Sequence, residues 1–168
     1  VVNEWSEDEL SSIFREFGEE RQGRRIAREV VKARPLESTL QLAELITRVK
    51  SRRGRLHPAT KVFQAIRMAV NDELEELNRA LPVVASLLKQ GGRMAVISFH
   101  SAEARAMKKF GNNEVRDYEV VGEVDRPEFR VPRERRMRWV ERRAICPTEK
   151  ELAANPRSRS AQLRVLEK

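Results

Sequence analysis

Ser98-Phe99-His100-Ser101 is the segment best equipped for chemistry, because an imidazole and two hydroxyls follow directly on the apolar run Met94-Ala95-Val96-Ile97. Open α/β sheets bind ligands beyond the carboxyl ends of their strands. There an imidazole can shuttle a proton, and hydroxyls can orient a base or a ribose. An equally simple reading makes Ser101 the cap of the next helix and His100 a surface side chain. No Ser/His/Asp triad is legible, and the other histidine, His57, reads as a loop residue before Pro58 in a basic stretch. Acidic pairs such as Glu75-Glu76 read as a solvated helix face. Cys146 is the lone cysteine, which excludes an internal disulfide framework, and no Cys/His cluster has zinc spacing. The seven glycines include no Gly-x-Gly pair and none between a strand and a helix, so no nucleotide-cofactor cradle is visible.

Charge supplies the second kind of chemistry. The net charge of +8 favours a polyanionic partner, and its distribution says more than the total. Residues 1–20 sum to −6, whereas residues 21–34, 48–55 and 126–143 each sum to +5. Clustered guanidinium and ammonium groups of this kind suit phosphate contact, although a single charge run is usually a solvated face. Arg52, Arg53 and Arg55 form the densest of these runs. Phe129 and Trp139 lie among the arginines of the third block, where they can stack on unpaired bases or cover a sheet. Asn155-Pro156-Arg157-Ser158-Arg159-Ser160 is a turn rich in donors, and it suits a phosphate as well.

The elements that position these groups follow from periodicity and caps. Ser6 to Glu9 has the form of a capping box, with Trp5 and Leu10 placed to staple across it. Leu10, Ile13, Phe14 and Phe17 continue at helical spacing up to Gly18. Ile26, Ala27, Val30 and Val31 make a second helix that ends before Pro35, and Ser38 opens a third with the stripe Leu42, Leu45, Ile46 and Val49. Residues 51–57 form a basic linker. From Pro58 a long helix is predicted to about Ala80, with a kink or restart at Pro82 and a stop at Gly91-Gly92. The apolar run 94–99 then reads as a buried strand and 101–110 as a helix, the unit of a parallel sheet covered on both faces. Further strands are expected at 118–124, 137–145 and 161–167, with a short helix at 147–154. No run of about 18 apolar residues and no leader pattern occurs, so a soluble cytoplasmic protein is the simplest reading. The chain does not open on methionine, which points to a fragment.

His57-Pro58-Ala59-Thr60, Phe63-Gln64-Ala65-Ile66-Arg67, Val70-Asn71-Asp72-Glu73-Leu74, the run from Gly91 to Ser101 and the run from Asn155 to Arg164 resemble, in order and spacing, the motifs of the bacterial RsmH/MraW family. Val2-Asn3-Glu4-Trp5, Gly18-Glu19-Glu20-Arg21 and Arg25-Ile26-Ala27 resemble that family's helical insertion. The resemblance implies an α/β fold, part of a class I S-adenosylmethionine-dependent methyltransferase (Rossmann-like) domain. Residues 1–56 would be the helical, substrate-recognising insertion and 57–168 the carboxyl-terminal part of the Rossmann-like domain. The activity implied is N4-methylation of a cytidine in the decoding region of small-subunit ribosomal RNA, with that RNA or the 30S subunit as partner. His100, Ser98 and Ser101 become the candidate catalytic residues. Arg157, Arg159, Asn155, Arg52, Arg53 and Arg55 become candidate RNA contacts. The family's glycine loop, its ribose-binding acid and its Asp-Leu-Gly-Val-Ser-Ser motif are not in these 168 residues. No S-adenosylmethionine contact is therefore assigned, and the chain alone is expected to be inactive. Ala102-Glu103-Ala104-Arg105 departs from the usual Leu-Glu-Asp-Arg by lacking the acid at Ala104. A non-catalytic RNA-binding or ribosome-associated module is the alternative, but such a module would not require the apolar strand that ends in Ser98-Phe99-His100-Ser101.

Overall fold

A computed structural model describes residues 1–50, 57–122 and 124–168. Two compact units divide the chain, Val1–Glu73 and Leu74–Lys168. The boundary expected at residue 56 falls on residues 51–56, which lie outside the described ones. By packing, the helix that follows them joins the first unit.

The first unit is helical, with α1 (Glu7–Glu16), α2 (Gly23–Lys32), α3 (Thr39–Val49) and α4 (Thr60–Val70). Its helices begin where the caps predict. Ser6 accepts from the Glu9 amide at 3.2 Å while the Glu9 carboxylate accepts from the Ser6 amide at 2.7 Å, and Ser38 accepts from the Gln41 amide at 3.2 Å. The apolar stripes converge on Leu10, Phe14, Ile26, Val30, Ile46 and Val62, all fully buried. Each such side chain contributes about 1.5–3 kcal/mol relative to exposure. Gly18 marks a close approach, since a Cβ there would sit 2.5 Å from the Lys61 carbonyl oxygen. Lys50 pairs with the buried Glu20 and donates to the Pro58 carbonyl at 3.2 Å, which joins the two sides of the 51–57 stretch.

The long helix expected from Pro58 to Ala80 is two helices. The break falls at Asn71-Asp72, where Asp72 takes a left-handed backbone with φ of 53°, and α5 (Glu73–Leu87) runs through Pro82 without ending. Asn and Asp tolerate that conformation better than other side chains. The new start is fixed by the Glu73 carboxylate, which accepts from Arg67 Nε at 2.9 Å and from the Asn71 amide at 3.2 Å. Apolar spacing continues across the break, so periodicity alone does not reveal it.

In the second unit, β1 (Arg93–Ser98), β4 (Arg138–Trp139) and β5 (Gln162–Glu167) form one sheet in the order β1-β5-β4. β2 (Tyr118–Val120) and β3 (Arg130–Pro132) form a separate hairpin, and α6 (Ser101–Glu114) and α7 (Glu149–Ala154) complete the unit. Every pairing among the described strands is antiparallel, which corrects the expected parallel unit. An apolar run of strand length does not encode the direction of its neighbour. Burial along β1 alternates as well. Met94 and Ser98 point inward, whereas Ile97 is 58 % exposed on the other face. The inward side packs with Leu81, Met107, Met137 and Leu166.

Register at the other end of the sheet makes an ionic clamp. Glu167 on the central strand stands opposite Arg93 on β1 and Arg138 on β4. Its carboxylate accepts from Arg93 Nε at 2.7 Å and from Arg138 Nε at 3.0 Å. These bonds, that from Arg93 foremost, hold the Glu167 carboxyl below the 4.5 of an ordinary glutamate. A carboxyl depressed in the folded state stabilises the fold above its unfolded value and loses that contribution as pH falls through the folded one. Urea midpoints measured against pH are therefore expected to fall below about pH 4.5, and Glu167→Gln is expected to flatten that fall. An unchanged acid limb in Glu167→Gln would remove the clamp from the account of stability.

Candidate functional site

His100 caps α6, an assignment that moves the expected cap one residue back from Ser101. With extended backbone, its Nδ1 accepts from the Glu103 amide at 3.4 Å. Glu103 reciprocates, accepting from the Phe99 amide at 2.9 Å and the His100 amide at 3.4 Å. This is the box of reciprocal bonds normally built from Ser or Thr with Glu, with an imidazole in place of the hydroxyl. A ring nitrogen that accepts is unprotonated, so in the neutral ring the proton sits on Nε2. That atom lies 3.0 Å from a Glu103 carboxylate oxygen. The His100 side chain is 12 % exposed, so it is not the surface side chain of the simpler reading.

The serines beside it differ. Ser98 is buried and its hydroxyl donates to the Gln162 carbonyl at 3.3 Å, so it faces the sheet rather than a cleft. Ser101 is half-buried at the first position of α6.

Antiparallel pairing then brings the second motif to the first. Ser98, the last residue of β1, pairs with Gln162, the first of β5. The turn Pro156–Ser160 runs directly into that residue, so it reaches the same end of the sheet as the His100 loop. Within the turn, buried Ser158 donates its hydroxyl to the Asn155 carbonyl at 2.8 Å, while Asn155, Arg157 and Arg159 are exposed. One structural serine thus holds a loop that presents two guanidinium groups to solvent. Arg52, Arg53 and Arg55 lie outside the described residues.

The other arginines fall into two groups. Arg34 donates to the Val2 and Trp5 carbonyls and so fastens the chain start. Arg130 bonds Asp125 at 2.7 Å and lies 4.4 Å from the Tyr118 ring centre, and Arg133 bonds Glu119 and two carbonyls. These side chains are structural. Arg21 and Arg25 stand exposed on the helical unit. Trp139 lies against Gly111, where a Cβ would overlap its ring, and donates Nε1 to Asn112 at 3.3 Å. Covering α6 accounts for most of this indole. The spacing His-x-x-Glu was the signal for Glu103, and it reads as easily as Ser-x-x-Glu once a histidine is allowed as the cap.

The family model described as the MraW methylase family matches residues 1–168. The chain belongs to that family. It is 43% identical over 169 residues to the ribosomal RNA small subunit methyltransferase H of Dehalococcoides mccartyi, covering all of this chain and 48% of that protein. The proteins of the same name from Coprothermobacter proteolyticus and Cereibacter sphaeroides are 44% and 45% identical, with 52% and 51% of their lengths covered. The chain therefore spans about half the length of the curated relatives it matches. Its α/β unit with a helical unit ahead of it is part of a class I methyltransferase fold. Methyltransferases of this kind draw their methyl group from S-adenosylmethionine. Among the described residues no glycine turn links the carboxyl end of a strand to a helix. Gly91 and Gly92 precede β1, and Gly111 is packed against Trp139. The described residues therefore supply no glycine cradle for that cofactor.

The double role of His100 can be separated. Asn is among the best caps, whereas loss of a capping side chain to Ala costs about 0.5–2 kcal/mol. His100→Ala is expected to lower the urea midpoint of the chain, and His100→Asn to keep it near the parent. Equal losses in both variants would show that the imidazole ring itself, not its capping bond, holds the loop.

Proposed function

We propose that this chain is the RNA-facing part of an S-adenosylmethionine-dependent methyltransferase that modifies N4 of a cytidine in the decoding region of small-subunit ribosomal RNA. The observation that carries the reading is the register that sets the His100 loop and the Arg157/Arg159 turn at one end of one sheet. A target base must be drawn out of its stack at a cost of a few kcal/mol. Guanidinium groups flanking the loop offset that cost by holding the neighbouring phosphates. Arg157 and Arg159 take that role on the α/β unit, with Asn155 as a further donor. Arg21 and Arg25, and by sequence Arg52, Arg53 and Arg55, are further phosphate contacts that the helical unit supplies on its own surface. The His100 ring is held in a fixed orientation at the end of β1, because the cap bond at Nδ1 and the Glu103 carboxylate restrain it. Ser98 acts by holding the end of β1 to β5, and Ser101 by starting α6 at the loop. The 30S subunit, or its RNA, is the partner in this reading. No helix among the described residues is long and apolar enough to cross a membrane.

Binding of the chain to small-subunit RNA is expected to weaken steeply with salt, with a log–log slope of about 0.7–0.9 per phosphate held. In the complete enzyme His100→Asn is expected to lower turnover ten- to a hundredfold, in the range of lost positioning or proton transfer, with RNA affinity kept. Calorimetry of this chain alone with S-adenosylmethionine is expected to show no binding. A flat salt response would overturn the RNA reading. Full turnover in His100→Asn would leave His100 as a helix cap alone. An RNA-binding complete protein that transfers no methyl group would favour the non-catalytic module.

A further inference from the structure

The carboxyl end of α6, opposite the His100 end, carries a cavity of about 470 Å³ that the reading above does not use. α6 has 14 residues, which at 1.5 Å per residue separates its ends by roughly 20 Å. Arg135, Arg138 and Arg142 line the cavity together with Asn112 and Trp139, and none of its lining residues is acidic. We infer that this cavity is a second RNA site, one that grips the sugar-phosphate backbone of a single strand without reading its bases. The inference rests on the proposal that RNA is the substrate, and adds where else the strand is held.

Three features support a backbone site. The first is that two of the guanidinium groups are held in place from outside the cavity. Arg135 donates to Asp117 at 2.8 Å, and this bond holds the Asp117 carboxyl below the usual range. Arg138 is held by Glu167. A guanidinium has five N–H donors in a planar fork, so each keeps donors for a ligand while its side-chain freedom is already restricted. Such restriction lowers the entropy lost on binding.

The second feature is Arg142, which is exposed and has no carboxylate partner among the described residues. Its backbone is nonetheless fixed, because its carbonyl accepts from Arg164 at 3.3 Å.

The third is that the aromatic group is already committed. Trp139 packs on Gly111, bonds Asn112 and has the Arg164 guanidinium 5.7 Å from its ring centre. A base seeking a stacking face finds this ring taken, whereas an anion finds three forks. A space of about 470 Å³ is more than one phosphate fills, and it leaves room for successive phosphates of a strand.

The test uses the 168-residue chain and a fluorescein-labelled oligocytidylate of roughly ten nucleotides, within the span of one single-strand site. Its affinity is followed by anisotropy across a salt series. Arg142→Ala and Arg135→Ala are each expected to weaken binding several-fold and to lower the log–log slope by about 0.7, the value for one phosphate contact on a single strand. Arg142→Glu is expected to weaken it further. Arg79→Ala, which removes the same charge from the exposed face of α5, is expected to leave the slope unchanged. Because Arg142 is tied to the other described residues through its backbone carbonyl, unchanged urea midpoints are expected in its variants and would separate a lost contact from a lost fold. Parental slope and affinity in both Arg142 variants would overturn the second site while RNA binding by the parent stands. No salt-dependent binding by the parent would overturn the RNA reading itself. Displacement of the strand from this cavity by equimolar pyrophosphate would make it a small-anion site, and equal displacement by polyglutamate an acidic-peptide site. Either result would overturn the assignment.

Discussion

The antiparallel pairing of β5 with β1 is the constraint on which the α/β unit depends. One register decides two ends of the sheet together. At one end it sets Glu167 opposite Arg93, and β4 brings Arg138 to the same carboxylate from the other side. At the opposite end it sets Ser98 opposite Gln162 and so delivers the Pro156–Ser160 turn to the His100 loop. A slip of one residue would reverse the face of every side chain on β5. Leu166 would leave the core, and Glu167 would lose both arginines. The clamp and the core therefore specify the same register, and the site at the far end inherits its geometry from them.

The same order leaves β1 at the edge of the described sheet. Ile97 and Phe99 are 58 % and 56 % exposed, and Val83 and Leu87 on α5 are 58 % and 78 % exposed. An edge strand with apolar neighbours is a template for pairing with another segment. The side chains that would be in the interior of a larger sheet lie on the strand that carries the His100 loop. Stability of the loop and coverage of that strand are consequently linked.

Much of this was legible because it is local. Ser6 and Ser38 announce their helices through a hydroxyl three residues ahead of its amide partner, and the stripes from Leu10 to Phe14 and from Ile26 to Val30 identify the buried faces directly. What was not legible depends on partners far away in sequence. The direction of β5 relative to β1 is set by contacts 64 to 74 residues apart, such as Ser98 with Gln162 and Arg93 with Glu167. The break at Asp72 was missed because Pro82 is the stronger local signal, yet α5 tolerates Pro82 and the Glu73 bonds fix the start at the earlier point. From sequence His100 reads as a chemical group or a surface residue, and the fold adds a third role, the cap of α6. The family motifs single out the loop but leave its bonds unread, since a motif records which residues recur and not what each one touches.

Charge shows the same difference between counting and placing. The third basic block sums to +5 in sequence, but Arg130, Arg133, Arg135 and Arg138 are each bonded to a carboxylate in the fold. Some of these bonds consume the arginine. Arg133, tied to two carbonyls as well as Glu119, has little left to offer. Others only aim it, as Asp117 does for Arg135 beside the cavity. An ion pair beside a cavity therefore does not by itself remove a guanidinium from RNA binding, because a fork that spends two donors on a carboxylate keeps three. The number of phosphates this chain can hold is set by how many forks retain donors toward a common path, not by its net charge. In the proposed reading, Arg157 and Arg159 at one end of the sheet, and Arg135, Arg138 and Arg142 at the carboxyl end of α6, are sets that meet that condition within the α/β unit.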